Sequence, residues 1–409
     1  MGDRLGRRIG VLILAGLLGC QSTEEEPKIF PSARPATSGT PDTLGSGPTL
    51  PTDRSGPESI ETVARFWEAM PTGVTVATFG RIFVSFPRWG DPVPFTVGEV
   101  KEGKVVPFPG PEINHLIPSR AGETFVSVQS VVVDAKNRLW ALDTGSVEFG
   151  PVLPRGAKLV CIDLSTNSVT KWIHFPPDVA LRTSYLNDVR FDLRKGPEGT
   201  AYITDSSALA GGIIVVDLAS GDSRRRLHDH PSTRAEARFV PFVEGRELRR
   251  RPKGKATQYL AVAADGIALG ADGRRLYYCP LASRRLYSVD TDALRDESAV
   301  EEEVAATVRD EGMKPASDGL ESDTKGRIYA SAYEINGIVR RLPDGTYETL
   351  VHDPRVLWPD TLSLADDGYL YFTVNQLHRQ GEYTGGADLR KKPYTLFRVR
   401  TDGQPVRLK

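Results

Sequence analysis

The chain has 409 residues, of which 39% are hydrophobic and 26% are charged, a composition typical of a folded globular protein. Its 52 basic and 53 acidic residues leave a formal net charge of −1. A nearly neutral chain generates no long-range field that would attract nucleic acid or an anionic membrane, so no nucleic-acid partner is expected.

The first 20 residues have the pattern of an export signal. Arginines are followed by an apolar run from Ile9 that is too short to cross a bilayer as a helix. The run ends in Leu-Leu-Gly-Cys at residues 17–20, which resembles a bacterial lipobox, and Gln21 is typical of outer-membrane lipoproteins. We expect residues 1–20 to be a lipoprotein signal peptide and Cys20 to be lipidated. The protein would then be exported to the cell envelope and held at the outer membrane by that lipid alone. An ordinary cleaved signal peptide is the alternative.

Residues 21–58 are rich in Pro, Ser, Thr, Gly and Glu and show no apolar periodicity. Such a segment buries too little surface to offset its ordering entropy, so it is predicted to be a flexible tether. No second segment of this kind follows. We therefore expect a single domain over residues 59–409, and a monomer.

Six segments of this domain share a short strand that carries an aromatic residue directly after a turn. The six aromatic residues are Phe83, Trp140, Tyr202, Tyr277, Tyr329 and Tyr371. Their intervals suit a four-stranded blade with loops of variable length. Six repeats predict an all-β protein, a six-bladed β-propeller.

A second pattern runs in phase with the first. Five of the aromatic strands are preceded, 11 to 15 positions earlier, by a polar residue followed by alternating apolar residues. The five polar residues are Gln129, Asn187, Asp265, Asp318 and Asp360. Each is predicted to begin the innermost strand of a blade and to face the central channel. Ring closure would pair an N-terminal strand at 60–66 with Tyr394–Arg400, which also hides strand edges.

Several motifs resemble the Yellow/major royal jelly protein family. They lie at residues 83–89, 128–134, 139–145, 186–189 and 264–269, and the blocks 228–233 and 277–281 resemble its bacterial branch. The resemblance spans about residues 60–402 and implies a propeller similar to regucalcin and gluconolactonase. Family members include dopachrome-converting proteins, binders of small aromatic amines, and structural or nutritive proteins. A fold alone does not decide among these.

The polar ring is the most chemically distinctive feature of the sequence. Carboxylate and amide oxygens bind hard cations, so Asn187, Asp265 and Asp318 are candidate ligands of one Ca²⁺ or Mg²⁺ ion. The resemblance to regucalcin and gluconolactonase points to Asn187 and Asp265, but the matching stretch at residues 77–80 lacks the glutamate of those enzymes. The alternative is that each aspartate caps its turn through a backbone N–H.

The predicted function concerns a small-molecule ligand at the channel. One hypothesis is an enzyme, either a metal-assisted lactone hydrolase or an isomerase of the dopachrome type. The other is a non-catalytic protein that binds an aromatic amine by charge and cation–π contacts. The enzyme is preferred here, because the polar ring is rich in carboxylates and its repeat motif contains no Lys or Arg partner, and the binding protein is the alternative. The sequence does not decide whether the protein is an enzyme.

Two cysteines lie inside the predicted domain. Cys161 and Cys279 stand in apolar, strand-like runs and are interpreted as small buried hydrophobic residues. A disulfide between them is the alternative, and it requires a close approach that the sequence does not show.

Overall fold

A closed ring of six antiparallel sheets dominates the structure, a computed structural model that describes residues 60–209 and 211–409. Each sheet has four strands, and the sheets follow one another along the chain. The first strands of neighbouring sheets contact each other in one unbroken cycle around a central channel. The predicted all-β, six-bladed propeller is confirmed.

The strands are numbered in chain order, and within each blade they run from the channel outwards. Blade 1 contains β2 (Val74–Val76), β3 (Ile82–Ser85), β4 (Val97–Lys101) and β5 (Lys104–Pro107). Blade 2 contains β6 (Val128–Val133), β7 (Arg138–Thr144), β8 (Ala157–Asp163) and β9 (Ser168–His174). Blade 3 contains β10 (Leu186–Asp192), β11 (Thr200–Asp205), β12 (Gly212–Asp217) and β13 (Ser223–Arg226).

The later blades follow the same order, apart from the last one. Blade 4 contains β16 (Ala264–Leu269), β17 (Arg275–Pro280), β18 (Arg285–Asp290) and β19 (Arg309–Met313). Blade 5 contains β20 (Leu320–Ser322), β21 (Ile328–Ala332), β22 (Gly337–Arg341) and β23 (Tyr347–His352). Blade 6 contains β24 (Pro359–Leu364), β25 (Tyr369–Val374), β26 (Tyr394–Arg400) and, as its outermost strand, β1 (Glu61–Phe66).

The N-terminal strand therefore closes the ring. Glu61 pairs with Arg398 and Phe66 pairs with Tyr394 in an antiparallel register. The predicted pairing of the two ends is confirmed. It ties the first described residues to the last blade, so the ring has no open junction between its first and last sheets.

The short remaining elements lie in the connections. The helices are α1 (Pro111–Asn114), α2 (Thr291–Arg295) and α3 (Glu301–Ala306). Single 3₁₀ turns occur at Thr78–Gly80, Pro118–Arg120, Tyr333–Ile335 and Leu377–Arg379, and a small hairpin joins β14 (Phe242–Val243) to β15 (Arg246–Glu247). Among the described residues no helix is long and apolar enough to span a membrane.

The hydrophobic core is divided among the spaces between neighbouring blades. All six repeated aromatic residues lie on the second strand of a blade, and Trp140, for example, stacks on Phe191 of the next blade with ring centroids 5.3 Å apart. Cys161 and Cys279 are both buried and free, which confirms their interpretation as small core residues and makes the alternative disulfide wrong.

Two glycines allow the inner strands to approach each other closely. A Cβ atom on Gly266 would lie 2.3 Å from the backbone oxygen of Asp318, and one on Gly319 would lie 2.6 Å from that of Asp360. Both distances are far below van der Waals contact, so no larger residue fits without moving a strand. The same close approach brings the neighbouring aspartates together in the channel.

The C-terminal segment crosses the channel on the side where the inner strands end, which we call the base face. Pro405 bridges to Asp323 in blade 5, and Leu408 bridges to Asp192 in blade 3. The Leu408 carbonyl also accepts a 3.0 Å hydrogen bond from the Leu193 amide. The channel is therefore covered at its base.

Candidate functional site

A cavity of about 450 Å³ lies on the opposite side, where the inner strands begin, which we call the mouth face. All five polar residues singled out from the sequence line it: Gln129, Asn187, Asp265, Asp318 and Asp360. Each of them is at least 95% buried. The structure thus brings the candidate residues to one place, while their role in binding stays a prediction.

The three aspartates are held by side-chain donors. Asn187 donates from Nδ2 to Asp265 Oδ1 at 2.8 Å. The Trp358 indole donates to Asp318 Oδ2, and Asn375 donates to Asp360 Oδ2, each at 2.7 Å. No backbone N–H in the described chain donates to these carboxylates, so the turn-capping alternative is not what the structure shows.

Burial changes the acidity of this cluster. Loss of hydration raises the pKa of Asp318 to about 7 and raises the pKa values of Asp265 and Asp360 well above their ordinary range. Repulsion between the carboxylates adds to the rise, and Asp188, next to Asn187 on β10, contributes to it. A hydrogen bond also joins the side chains of Asp265 and Asp318. The cluster therefore holds protons at neutral pH unless a cation binds there.

A buried arginine lies deeper in the channel. Arg190 follows Asn187 on β10, and its guanidinium donates to the backbone oxygen of Leu320 in blade 5. Its closest acidic partner is Glu321, at 3.9 Å. Arg190 forms no ion pair with Asp265, Asp318 or Asp360, and these three form none with any other described residue within 4.0 Å.

Three aromatic rings form one wall of the cavity. Trp89 and Phe149 stack with centroids 5.1 Å apart and an interplanar angle of 27°. Tyr185 packs against both, at 6.1 Å from Trp89 and 5.0 Å from Phe149. All three residues line the cavity, and Phe149 is 54% exposed at its rim. A flat apolar surface therefore stands beside a carboxylate-rich floor.

The loop between β7 and β8 presents Phe149. Glu148 and Phe149 both adopt positive φ angles, of 50° and 56°. The turn is fixed by hydrogen bonds from the Glu148 amide to the Arg88 carbonyl and from the Ser146 hydroxyl to the Gly150 carbonyl. Non-glycine residues rarely adopt this conformation, and such strain often accompanies binding sites.

Gln129 is oriented by the aromatic wall. The Trp89 indole donates to the Tyr185 hydroxyl at 2.5 Å, and that hydroxyl donates to Gln129 Oε1 at 3.0 Å. Burial raises the pKa of Tyr185 well above its usual range, so the hydroxyl remains a donor. Because Oε1 is engaged, the Gln129 amide nitrogen is the atom left to donate to a ligand.

The arrangement does not fit the candidate metal site. Asn187 presents its nitrogen rather than its oxygen to Asp265, and the Trp358 indole occupies one oxygen of Asp318. In the described part of the chain, no group of three or more His, Cys, Asp or Glu side chains is placed to hold a metal ion. A metal would require Asn187 to turn over and the Asp265–Asp318 hydrogen bond to break.

Several residues of the site were missed in the sequence. Asp188 and Tyr185 flank the marked Asn187, and Trp89 ends one of the family motifs, so each had a signal nearby. Trp358 stands two residues before Asp360, as Tyr185 does before Asn187, so it had a signal nearby as well, whereas Phe149 occupies no repeated position. The sixth blade position is Thr72, 11 residues before Phe83, a spacing shared with three of its five counterparts. Its hydroxyl donates to the Gln129 backbone oxygen, and Thr72 does not line the cavity.

Comparison with known proteins identifies the family. The family model of the major royal jelly proteins matches residues 126–406. The chain belongs to the major royal jelly protein family. The resemblance stated from the sequence motifs is thereby confirmed.

Curated relatives of this family member include Yellow proteins of insects. Protein yellow of Drosophila guanche is 27% identical over 288 residues, which cover 67% of this chain and 45% of the relative. The Yellow-related salivary protein LJM11 of Lutzomyia longipalpis is 27% identical over 234 residues, covering 53% and 55% respectively. The chain thus spans about half the length of the curated relatives it matches.

Solved structures support the fold. A gluconolactonase from Xanthomonas campestris superposes with a TM-score of 0.51 at 14% identity, covering 85% of this chain and 91% of that one. A luciferin-regenerating enzyme gives 0.51 at 12% identity, covering 86% and 99%. At such low identity the likeness shows a shared propeller and no shared activity.

Proposed function

We propose that this family member binds a small aromatic amine in the mouth-face cavity. One observation carries the proposal: three buried carboxyl groups that form no ion pair with any described residue lie beside a wall of three aromatic rings. A protonated amine would supply the missing positive charge. Its ring would stack on Phe149 and Trp89, which favours a flat ligand over an alkyl amine.

The dimensions of the cavity agree with such a ligand. Its volume of about 450 Å³ lies within the range of small-molecule sites. Two arginines also line it: Arg250 is paired with Glu382 through a 2.8 Å hydrogen bond and so adds little net charge, and Arg182 is exposed to solvent. The carboxyl groups of Asp265, Asp318 and Asp360, which form the floor of the cavity, therefore favour a cation. The Gln129 amide can donate to an oxygen on the ligand.

A divalent cation is the competing occupant of the same floor. Asn187, Asp265 and Asp318 would then be its ligands, and the ion would polarise a lactone carbonyl. The aromatic wall favours the amine, because the ring of a sugar lactone is neither flat nor aromatic and stacks less well on it. An isomerase of the dopachrome type would use the same cavity and would convert its ligand instead of only binding it.

Calorimetric titration with tryptamine tests the proposal. We expect tryptamine to bind, and indole and propylamine, which each retain half of its features, to bind far more weakly. A chelator should leave tryptamine binding unchanged. Added Ca²⁺ should weaken it only if the ion occupies the same carboxylates. Equal binding of all three probes, or binding of Ca²⁺ with no binding of tryptamine, would contradict the amine site.

Matched variants locate the binding. Asp360→Asn removes one floor carboxylate with little change in shape and should weaken tryptamine binding several-fold. Asp163→Asn changes a half-buried aspartate at the end of β8 that does not line the cavity, and it should have no effect. Parallel assays of lactone hydrolysis and dopachrome conversion would show whether any ligand is turned over.

The proposed location is the cell envelope. We propose that Cys20, which lies outside the described residues together with the predicted signal peptide and tether, anchors the protein by a lipid. Cys20→Ala should move the protein from the membrane fraction to the soluble fraction. Unchanged partitioning would refute the anchor without affecting the amine site.

A further inference from the structure

Two buried ion pairs occupy the same position in two neighbouring blades. Asp143 in blade 2 and Asp205 in blade 3 each stand three residues after the repeated aromatic residue, and both carboxylates are fully buried. Lys158 Nζ lies 2.6 Å from Asp143 Oδ2. Arg225 Nη2 lies 2.6 Å from Asp205 Oδ2. The residues at this position in the other four blades are apolar: Phe86, Pro280, Ala332 and Val374.

The blade 2 pair holds both ends of the loop that bears Phe149. Asp143 accepts a hydrogen bond from the Gly145 amide at 3.0 Å, where the loop begins. Lys158 donates to the Gly156 carbonyl at 2.9 Å, where the loop ends. The ion pair therefore closes the base of the loop from which Phe149 reaches the rim of the cavity.

The same pair is connected to the segment that carries Trp89. The Ser127 amide donates to Asp143 at 2.9 Å, and the Ser127 hydroxyl accepts from the Arg88 amide at 2.9 Å. The Val126 amide also donates to Asp143, at 2.7 Å, and the Val126 carbonyl accepts from Arg88 Nε at 2.9 Å. Arg88 directly precedes Trp89 in the chain, so two hydrogen-bonded paths lead from the buried carboxylate to that ring.

The blade 3 pair holds the third ring of the wall. Asp205 Oδ1 accepts from the Tyr185 amide at 2.9 Å. Arg225 donates to the Val179 carbonyl at 2.7 Å and to the Ser184 hydroxyl at 2.8 Å. These three contacts fix the connection between β9 and β10 at three points, the last of them at Tyr185 itself.

Stability alone is a poor explanation for such pairs. Loss of hydration of both groups offsets most of their attraction, and well-packed apolar residues of similar size often stabilise a core as well. A charge-assisted hydrogen bond is short, however, and it fixes the groups that form it in one geometry. Buried pairs at one repeated position, in two adjacent blades whose loops carry rings of the same wall, therefore indicate a geometric role.

We propose that these two ion pairs are positioning residues that set the geometry of the aromatic wall. They thereby determine how strongly the cavity prefers a flat ring to an alkyl chain. The carboxyl groups of the floor recognise the ammonium group, and the ion pairs hold the surface on which the ring stacks. The inference rests on the proposed amine site, because it concerns the selectivity of that site.

The double variant Arg225→Met/Asp205→Leu tests the inference. It replaces both partners at once and so leaves no unpaired charge in the interior. The ratio of the tryptamine affinity to the propylamine affinity, measured by NMR titration, should fall roughly threefold to tenfold, which is the contribution of ring stacking. The affinity for propylamine should stay the same, because the floor is not moved. An unchanged ratio would overturn the inference.

The double variant Arg327→Met/Asp323→Leu is a matched control. Arg327 Nε lies 2.6 Å from Asp323 Oδ2, and both side chains are buried. This pair lies at the base face, and neither residue lines the cavity. The control should lose comparable stability and keep the affinity ratio of wild type. An equal fall of the ratio in both double variants would show a general loosening of the fold and would also overturn the inference.

Ser127→Ala decides the question if Arg225→Met/Asp205→Leu does not fold. It deletes one buried hydroxyl that lies outside the cavity and accepts from the Arg88 amide. The affinity ratio should fall about twofold, as expected for one lost hydrogen bond. Ser322→Ala deletes a buried hydroxyl that donates to the Leu269 carbonyl at 2.6 Å, and it should leave the ratio unchanged. Equal ratios in the two serine variants would then refute the positioning role.

A measurement without ligand separates this inference from the proposed function. The ring centroids of Phe149 and Tyr185 lie 5.0 Å apart, so their protons should show nuclear Overhauser contacts in the free protein. These contacts should persist in the base-face control and disappear in Arg225→Met/Asp205→Leu. If they persist in that variant, the positioning role is refuted. If they disappear but wild type does not bind tryptamine, the amine site fails and the positioning of the rings stands.

Discussion

Asp318→Asn should make the protein more stable at alkaline pH. Burial raises the pKa of Asp318 from 3.8 to about 7, so between these values the folded protein holds a proton that the unfolded chain releases. Stability therefore falls as the pH rises through this window. At about 1.4 kcal/mol for each tenfold change in proton affinity, the fall due to this group amounts to about 4 kcal/mol by pH 8. Asparagine keeps the shape and carries no charge, so the variant should avoid this loss.

Urea unfolding at pH 4.5, 6 and 8, followed by tryptophan fluorescence, measures the effect. Wild type and Asp318→Asn should have similar free energies of unfolding at pH 4.5 and diverge towards pH 8. Asp163→Asn, at a half-buried site outside the cavity, should run parallel to wild type over the same range. If Asp318→Asn also runs parallel to wild type, Asp318 titrates normally in the folded protein and the reasoning about the buried cluster is wrong. Tryptamine should reduce the alkaline loss in wild type, because a bound cation replaces the proton.

Three further changes test other parts of the structure. Phe149→Ala should weaken tryptamine binding by roughly threefold to tenfold, as measured by calorimetry, with no loss of stability in thermal melting, since the ring is half exposed. Phe79→Ala, at another exposed ring, should change neither the affinity nor the stability. Full affinity in Phe149→Ala would show that the aromatic wall does not contribute to binding. Lys158→Met should lower the free energy of unfolding in urea by about 3 kcal/mol or more, because it leaves the buried carboxylate of Asp143, 2.6 Å from Lys158 Nζ, without its partner. A neutral result would show that backbone donors alone satisfy the Asp143 carboxylate. Gly266→Ala should cost about 1–3 kcal/mol in the same measurement by pushing two inner strands apart, and an unperturbed variant would mean that the hub is not tightly packed.

The ring was predictable because its signals repeat. Asp318 and Asp360 each stand 11 positions before an aromatic residue, and this spacing, which ranges from 11 to 15 among the five marked blades, reflects one strand, one turn and half of the next strand. The partner strands at the two chain ends followed from the need to close a ring of six. Both features depend on local periodicity, which a single sequence carries in full.

The chemistry of the site was predictable only in part. The repeat indicated which carboxylates would meet, but not that Trp358 would bond to Asp318 across a blade boundary through a left-handed backbone. Phe149 reaches the cavity by the same kind of irregular turn. The orientation of the Asn187 amide, which decides against the metal arrangement, depends on a hydrogen bond between two blades and leaves no trace in sequence spacing.

The chain ends of the propeller have a practical consequence for access to the ligand. Glu61 pairs with Arg398, near the end of a strand that runs towards the base face, and the last residues cross that same face. Both ends of the described domain therefore lie at the base face, on the side opposite the cavity. A sensor surface, a reporter protein or a lipid attached through either end would leave the opening facing outward, towards whatever solution carries the ligand. In the part of the chain that the structure describes, the loop that bears Phe149 stands at the rim of this cavity.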